Sequence, residues 1–226
     1  NGIVQRALSE LRASVGDDMV LMADLCVDEY TSHGHCGVLD AKGHVDNDAT
    51  IEIYTKAAVA QARAGAHVVA PSGMMDGQVG AIRSALDYNN FLDTAILAYS
   101  AKYASGLYGP FRDAVEVQIA GGGDRKGYQQ DYRNTREALR EAIADVDEGA
   151  DMVMVKPALS YLDILADVRA AVDVPVAAYQ VSGEYAMIKA AAANGWIDHD
   201  VVAIEQLTAI KRAGASFILS YFARWF

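Results

Sequence analysis

A TIM (β/α)8 barrel is the fold class this sequence predicts, and three observations predict it. Six short, nearly continuous apolar runs alternate with alanine-rich amphipathic stretches, the pattern of a parallel sheet buried on both faces. Each run finishes on a polar or reactive residue, namely Cys26, Ser72, Lys102, Lys156, Ser182 and Tyr221, where a barrel keeps its chemistry. No glycine-rich phosphate turn follows the first run, as a doubly wound sheet would more often show.

The elements follow in order. Residues 1–8 read as helix, and residues 19–26 as the first strand. Gly65 closes an amphipathic stretch and leads into Val68-Val69-Ala70-Pro71-Ser72. The third strand is Ala95-Ile96-Leu97-Ala98-Tyr99-Ser100-Ala101-Lys102. Gly149 leads into Met152-Val153-Met154-Val155-Lys156, residues 174–182 form the fifth strand, and Gly214 leads into Phe217-Ile218-Leu219-Ser220-Tyr221. A glycine after an amphipathic stretch and before a strand marks a helix C-terminus. The six strands are two short of a full barrel, so the chain is expected to be a single barrel domain over residues 1–226 that begins inside a longer protein.

Residues 103–134 show no convincing element and carry Gly121-Gly122-Gly123 in their middle. A connection of this length is usually a lid or binding loop. Its Arg112, Arg125 and Lys126 are donors suited to a carboxylate; a plain solvated loop is the competing reading.

Composition narrows the function classes. The chain has 226 residues, 52% of them hydrophobic, enough for one large α/β domain. A net charge of −11 argues against nucleic acid, since no basic stripe exists to neutralise phosphates. No apolar run reaches the roughly 18 residues of a membrane span, and no leader opens the chain. Two cysteines are no disulfide framework, which makes a reducing cytoplasm the expected location.

Two features carry chemistry. Lys102 and Lys156 each end a buried strand, where desolvation or a second cation would free an amine to attack a carbonyl. Two such lysines at one barrel mouth point to an enzyme that captures two carbonyl substrates as Schiff bases. The other feature is the run Asp24-Leu25-Cys26-Val27-Asp28, continuing through His33 and His35 to Cys36. Two thiolates and a carboxylate suffice for zinc with an open position. Two buried thiols on a polar loop are the alternative.

Several long strings then match a known family in order: Tyr30-Thr31-Ser32-His33-Gly34-His35-Cys36-Gly37, Ala70-Pro71-Ser72-Gly73-Met74-Met75-Asp76-Gly77, Tyr99-Ser100-Ala101-Lys102-Tyr103-Ala104-Ser105, Tyr108-Gly109-Pro110-Phe111-Arg112-Asp113, Gly123-Asp124-Arg125 with Tyr128-Gln129, residues 149–157, Val181-Ser182-Gly183-Glu184, and Ser220-Tyr221. On these the chain resembles the porphobilinogen synthase, or delta-aminolevulinic acid dehydratase, family. The resemblance implies a TIM barrel with an N-terminal arm, the arm and the first two strands being expected to lie outside this chain, and assembly as a homo-octamer. It implies condensation of two 5-aminolevulinate molecules to porphobilinogen with loss of two waters, in tetrapyrrole (haem) biosynthesis.

Carried over residue by residue, Lys156 resembles the Schiff-base lysine of the propionate-side substrate and Lys102 its acetate-side counterpart. Ser182 and Tyr221 resemble the holders of one carboxylate, and Arg112, Arg125 and Gln129 those of the other. Asp24 and Ser72 resemble polar residues near the reacting amine, and Tyr179 falls in the substrate-binding set. The metal loop is a mixture: zinc-type members have three cysteines, and this chain has Cys26, Asp28 and Cys36. Position 73 has glycine where the family string has aspartate, and position 78 has Gln78 where it has arginine. Glu141 falls where magnesium-activated members place an allosteric ligand, with Asp145 one helical turn on; a solvated helix face is the other reading. Two further functions stay open: another Schiff-base barrel enzyme of the aldolase kind, or an inactive chain with a metal-binding or structural role.

Overall fold

The structure is a computed structural model and describes residues 2–119 and 123–225. Gly121 and Gly122 of the glycine run, with Asn1 of the expected opening helix, lie outside the described residues. The chain divides into two compact units, one built chiefly from residues 1–99 and the other chiefly from residues 100–118, 122–143 and 153–226.

The first unit contains helix α1 (Ile3–Val15), strand β1 (Met22–Leu25), helix α2 (Asn47–Arg63), strand β2 (Val68–Pro71), helix α3 (Gln78–Tyr88) and the start of strand β3 (Ala95–Lys102). The strands pair in parallel, Met22 opposite Val68 and Val68 opposite Ala95. All of β2 is buried, as expected for a parallel strand covered on both faces. The Asp46 side chain caps α2 by accepting from the Ala49 N–H at 3.0 Å, satisfying a donor that the helix start leaves open. Past its other end Gly65 adopts φ 110°, a conformation that only glycine takes without strain.

The second unit contains the end of β3, helix α4 (Gly109–Ala114), the first part of helix α5 (Arg136–Asp147), strand β4 (Met152–Lys156), helix α6 (Leu162–Ala171), strand β5 (Val176–Gln180), helix α7 (Ser182–Ala193), helix α8 (His199–Arg212) and strand β6 (Phe217–Ser220). Val153 pairs with Val176 and Ala177 with Phe217, again in parallel. Gly149 and Gly214 share the positive φ of Gly65, so the three expected helix-closing glycines do close helices.

All six expected strands are present, and the helix expected at the start is α1. The bounds differ at several ends; β1, β2 and β6 stop at Leu25, Pro71 and Ser220, one residue short of the expected Cys26, Ser72 and Tyr221. Met19 and Val20 precede β1 and are each 60% exposed, because pairing with β2 begins only at Met22. Ser182 begins α7 instead of ending β5, since the backbone turns helical where Glu184 reaches back to the Val181 N–H. Residues 103–134 are also not bare loop. A 3-10 turn at Gly106–Tyr108 runs into α4. The Ser105 hydroxyl caps the turn by accepting from the Leu107 N–H at 3.1 Å, and Pro110 occupies the first turn of α4, where its missing N–H costs nothing.

Candidate active site

In the first unit the end of β1 delivers Cys26 and Asp28, and the loop beyond delivers Cys36. One ligand atom from each lies within 4.8 Å of the other two. Cys36 is fully buried and Asp28 is 8% exposed. No disulfide joins the two cysteines. Two soft sulfurs and one hard oxygen at this separation fit a divalent metal ion. His33 and His35 are not part of the group; the His33 ring instead accepts from the His35 N–H at 3.2 Å.

Helix α2 holds this loop. The Tyr54 hydroxyl donates to the Cys36 carbonyl at 2.6 Å and lies 3.6 Å from Cys26 Sγ. Burial, reinforced by both cysteines, pushes the Tyr54 hydroxyl far above the usual tyrosine range, so it remains a donor. Of the expected polar residues here, Ser72 is buried at the end of β2 and Asp24 is exposed on β1. Burial raises the Glu29 carboxyl, and the neighbouring charges of Asp28 and then Asp24 add to it, so this end of the strand concentrates negative charge.

In the second unit Lys102 ends β3 and Lys156 ends β4. The two strand ends are neighbours, because the Tyr103 N–H donates to the Lys156 carbonyl at 2.9 Å. Lys102 is 5% exposed. The Lys156 amine lies 4.4 Å from the Tyr179 ring centroid and 5.5 Å from that of Tyr108, within the range of a cation–π contact. Tyr179, expected in the substrate-binding set, therefore packs against the expected Schiff-base lysine.

Part of the 103–134 stretch is pinned beside Lys102. The Gln130 N–H donates to the Lys102 carbonyl at 3.0 Å, and the Ala104 N–H to the Gln130 carbonyl at 2.9 Å. The Gln130 side chain donates to the Ser100 carbonyl at 3.0 Å. This return of the chain carries Gln129 and Arg125, 6% and 7% exposed. Arg112 lies half-buried on α4. Burial pushes the Tyr108 hydroxyl well above its usual range, Tyr161 and Glu184 add to this, and the Arg112 and Arg125 guanidiniums oppose it. Both arginines therefore project their charge onto the residue that faces Lys156.

Ser182 and Tyr221 occupy different settings. The Ser182 hydroxyl accepts from the Phe111 N–H at 3.0 Å and donates to the Leu107 carbonyl at 3.4 Å, tying α7 to the segment that bears Arg112. A Cβ at Gly183 would lie 2.7 Å from Leu107 Cα, so glycine is needed for this approach. Tyr221 is 42% exposed, its ring 6.5 Å from that of Tyr179. Glu141 sits half-buried on α5.

Two contributors escaped the sequence reading. Tyr54 sits in an alanine-rich helix with no motif to mark it. Glu184 belongs to a matched string, yet its role is visible only in space. It is fully buried and accepts from the N–H groups of Val181 and Leu159, both at 2.6 Å, and of Ala158 at 3.4 Å. Burial raises its carboxyl above the usual range, and those three bonds partly offset the rise.

Comparison with known proteins agrees with these features. A family model described as delta-aminolevulinic acid dehydratase matches residues 1–226. The delta-aminolevulinic acid dehydratase of Streptomyces coelicolor is 65% identical over 223 residues, and that of Mycobacterium tuberculosis 60%; each alignment covers 99% of this chain and 67% of the relative. A crystal structure of the Toxoplasma gondii enzyme in complex with its reaction product porphobilinogen superposes with a TM-score of 0.97 at 50% identity, covering 100% of this chain and 65% of that one. The chain thus spans about two thirds of the length of the relatives it matches. A match along the whole chain, with identity this high and both lysines at their strand ends, places the chain in the delta-aminolevulinic acid dehydratase family.

Proposed function

We propose that this protein condenses two molecules of 5-aminolevulinate into porphobilinogen, releasing two waters, in tetrapyrrole biosynthesis. The observation that carries the reading is the pair of strand-end lysines, Lys102 and Lys156, on neighbouring strands of a chain in this family. Each amine attacks the ketone of one substrate and expels water to form an imine. One imine draws electrons and acidifies the adjacent carbon, which attacks the imine carbon of the second substrate; the lysine held there is then eliminated as a free amine. The free amine of that second substrate adds to the remaining imine carbon, closing the ring through a C–N bond and releasing the other lysine, and loss of a ring proton leaves the pyrrole.

The remaining residues orient and enclose. Arg112, Arg125 and Gln129 hold the acetate-side carboxylate, while Ser182 and Tyr221 hold the other. Tyr179 lines the pocket of the substrate joined to Lys156, and Asp24 and Ser72 lie near the reacting amine. Residues 103–134 act as the lid that excludes water, which an imine needs for a useful lifetime. Cys26, Asp28 and Cys36 are the residues that would hold zinc, whose contribution when bound is Lewis acidity. Glu141 would serve a separate, allosteric magnesium ion. The same reading takes the six strands as part of an eight-stranded barrel, in a cytoplasmic homo-octamer.

The test is covalent trapping. Borohydride reduction in the presence of 5-aminolevulinate should leave the substrate attached to Lys156, located by peptide mass spectrometry. Lys156→Ala should lose turnover by several orders of magnitude; near-normal turnover in that variant would sink the assignment.

A further inference from the structure

We propose that Tyr54 is a positioning residue for the Cys26, Asp28 and Cys36 site, and that Gly73 is the space that admits it. The inference rests on the reading of those three residues as a metal site. Thr50, Tyr54 and Gln61 of α2 are buried, and each reaches the strand or loop that carries the donors. Thr50 Oγ1 accepts from the Val38 N–H at 3.0 Å, the Tyr54 hydroxyl donates to the Cys36 carbonyl at 2.6 Å, and Gln61 Nε2 donates to the Asp24 carbonyl at 2.8 Å. Their spacing, one turn and then two turns apart, keeps all three on one side of the helix.

Tyr54 is the member of this row that meets both cysteines. A phenol has one proton, and the 2.6 Å bond to the Cys36 carbonyl takes it. The hydroxyl oxygen still stands 3.6 Å from Cys26 Sγ. One rigid ring therefore fixes the backbone of one cysteine and bounds the position of the other. A metal site whose ligands are fixed from behind in this way loses affinity when the support is removed.

Gly73 gives the ring its place. A Cβ there would lie 2.5 Å from Tyr54 Cε2 and Cζ, and would overlap the hydroxyl oxygen. Gly73 is not among the residues with positive φ, so space alone, rather than backbone conformation, calls for glycine. Any side chain at position 73 must push Tyr54 away from Cys36.

The test is titration of the metal-free protein with zinc and with cobalt(II), whose thiolate charge-transfer band reports the sulfur ligands directly. Tyr54→Phe keeps the ring and removes the hydroxyl. It should weaken both metals about 10- to 100-fold and move the cobalt–thiolate band. Gly73→Ala should weaken them at least as much. In a Tyr54→Leu background Gly73→Ala should add nothing, since the ring it displaces is gone. An unmoved band with affinity within about twofold in Tyr54→Phe would overturn the proposal. So would a Gly73→Ala effect of equal size in both backgrounds. A thermal-unfolding cycle on the metal-free protein reads the coupling of positions 54 and 73 by itself, and additivity there also overturns the pairing. A wild-type protein with no thiolate band would refute the metal reading itself, a result distinct from either failure.

Discussion

Replacing Glu184 by glutamine should destabilise the protein by about 3 kcal/mol, a value that follows from its bonding. The carboxylate accepts two 2.6 Å bonds, one on each oxygen, from the Leu159 and Val181 N–H groups, and a longer one from Ala158. A glutamine can offer its carbonyl to only one side; its NH2 then faces an N–H. The lost charge-assisted bond costs about 1.5–3 kcal/mol and the buried donor left behind about 1–3 kcal/mol. Relief from burying a charge offsets part of this sum. In a protein of this length about 3 kcal/mol lowers the melting temperature by roughly 6–12 °C. The pH dependence supplies a second signature. The folded-state pKa of Glu184 is raised, mainly by burial, so its contribution to stability is fully present below the unfolded pKa of about 4.3. That contribution is lost as pH rises through the folded value. The deficit of Glu184→Gln should therefore widen as pH falls from neutrality toward that point, read by thermal or denaturant unfolding across the range. A melting temperature within about 2 °C of wild type, with a deficit that does not change with pH, would refute the reasoning.

Three other outcomes follow from the site. Arg112→Ala should chiefly weaken use of the second, acetate-side substrate molecule, by about 2–5 kcal/mol if its charge pair is desolvated; an unchanged dependence of rate on substrate concentration would count against this. Cys36→Ala should abolish zinc dependence and sensitivity to strong chelators, while magnesium stimulation persists; elemental analysis of active protein that finds no zinc would contradict it. Glu141→Ala should do the reverse, removing magnesium stimulation and leaving zinc content intact.

The sequence announces the strands because burial on both faces writes long apolar runs, and the runs break at a polar residue at or just past each strand end. It announces the helix ends because Gly65, Gly149 and Gly214 take a φ that other residues avoid. The cysteine loop was legible for a chemical reason: thiols and a carboxylate close together in sequence stayed close in space. Helix α4 was hidden because its support comes from outside its own six residues, through the bond from Phe111 to Ser182 on a distant helix and the Ser105-capped turn that leads into it. The departure at Gly73 was visible as a missing aspartate, but its steric meaning needed Tyr54, which lies a helix away. The partners of Glu184 likewise come mostly from the end of another strand, and no local pattern encodes them.

The bridge between Tyr103 and Gln130 also bears on how such a protein can change over time. The segment that leaves β3 after Lys102 returns to that same strand end, so its two feet stay fastened whatever lies between them. Closing a loop on fixed feet depends only logarithmically on length, and doubling the intervening stretch costs about 0.6 kcal/mol. Changes of length within that stretch therefore cost little closure entropy where they spare Tyr108, Arg112, Arg125 and Gln129, while Lys102, behind the staple, keeps its setting. The staple separates a length that can vary from side chains that must hold still.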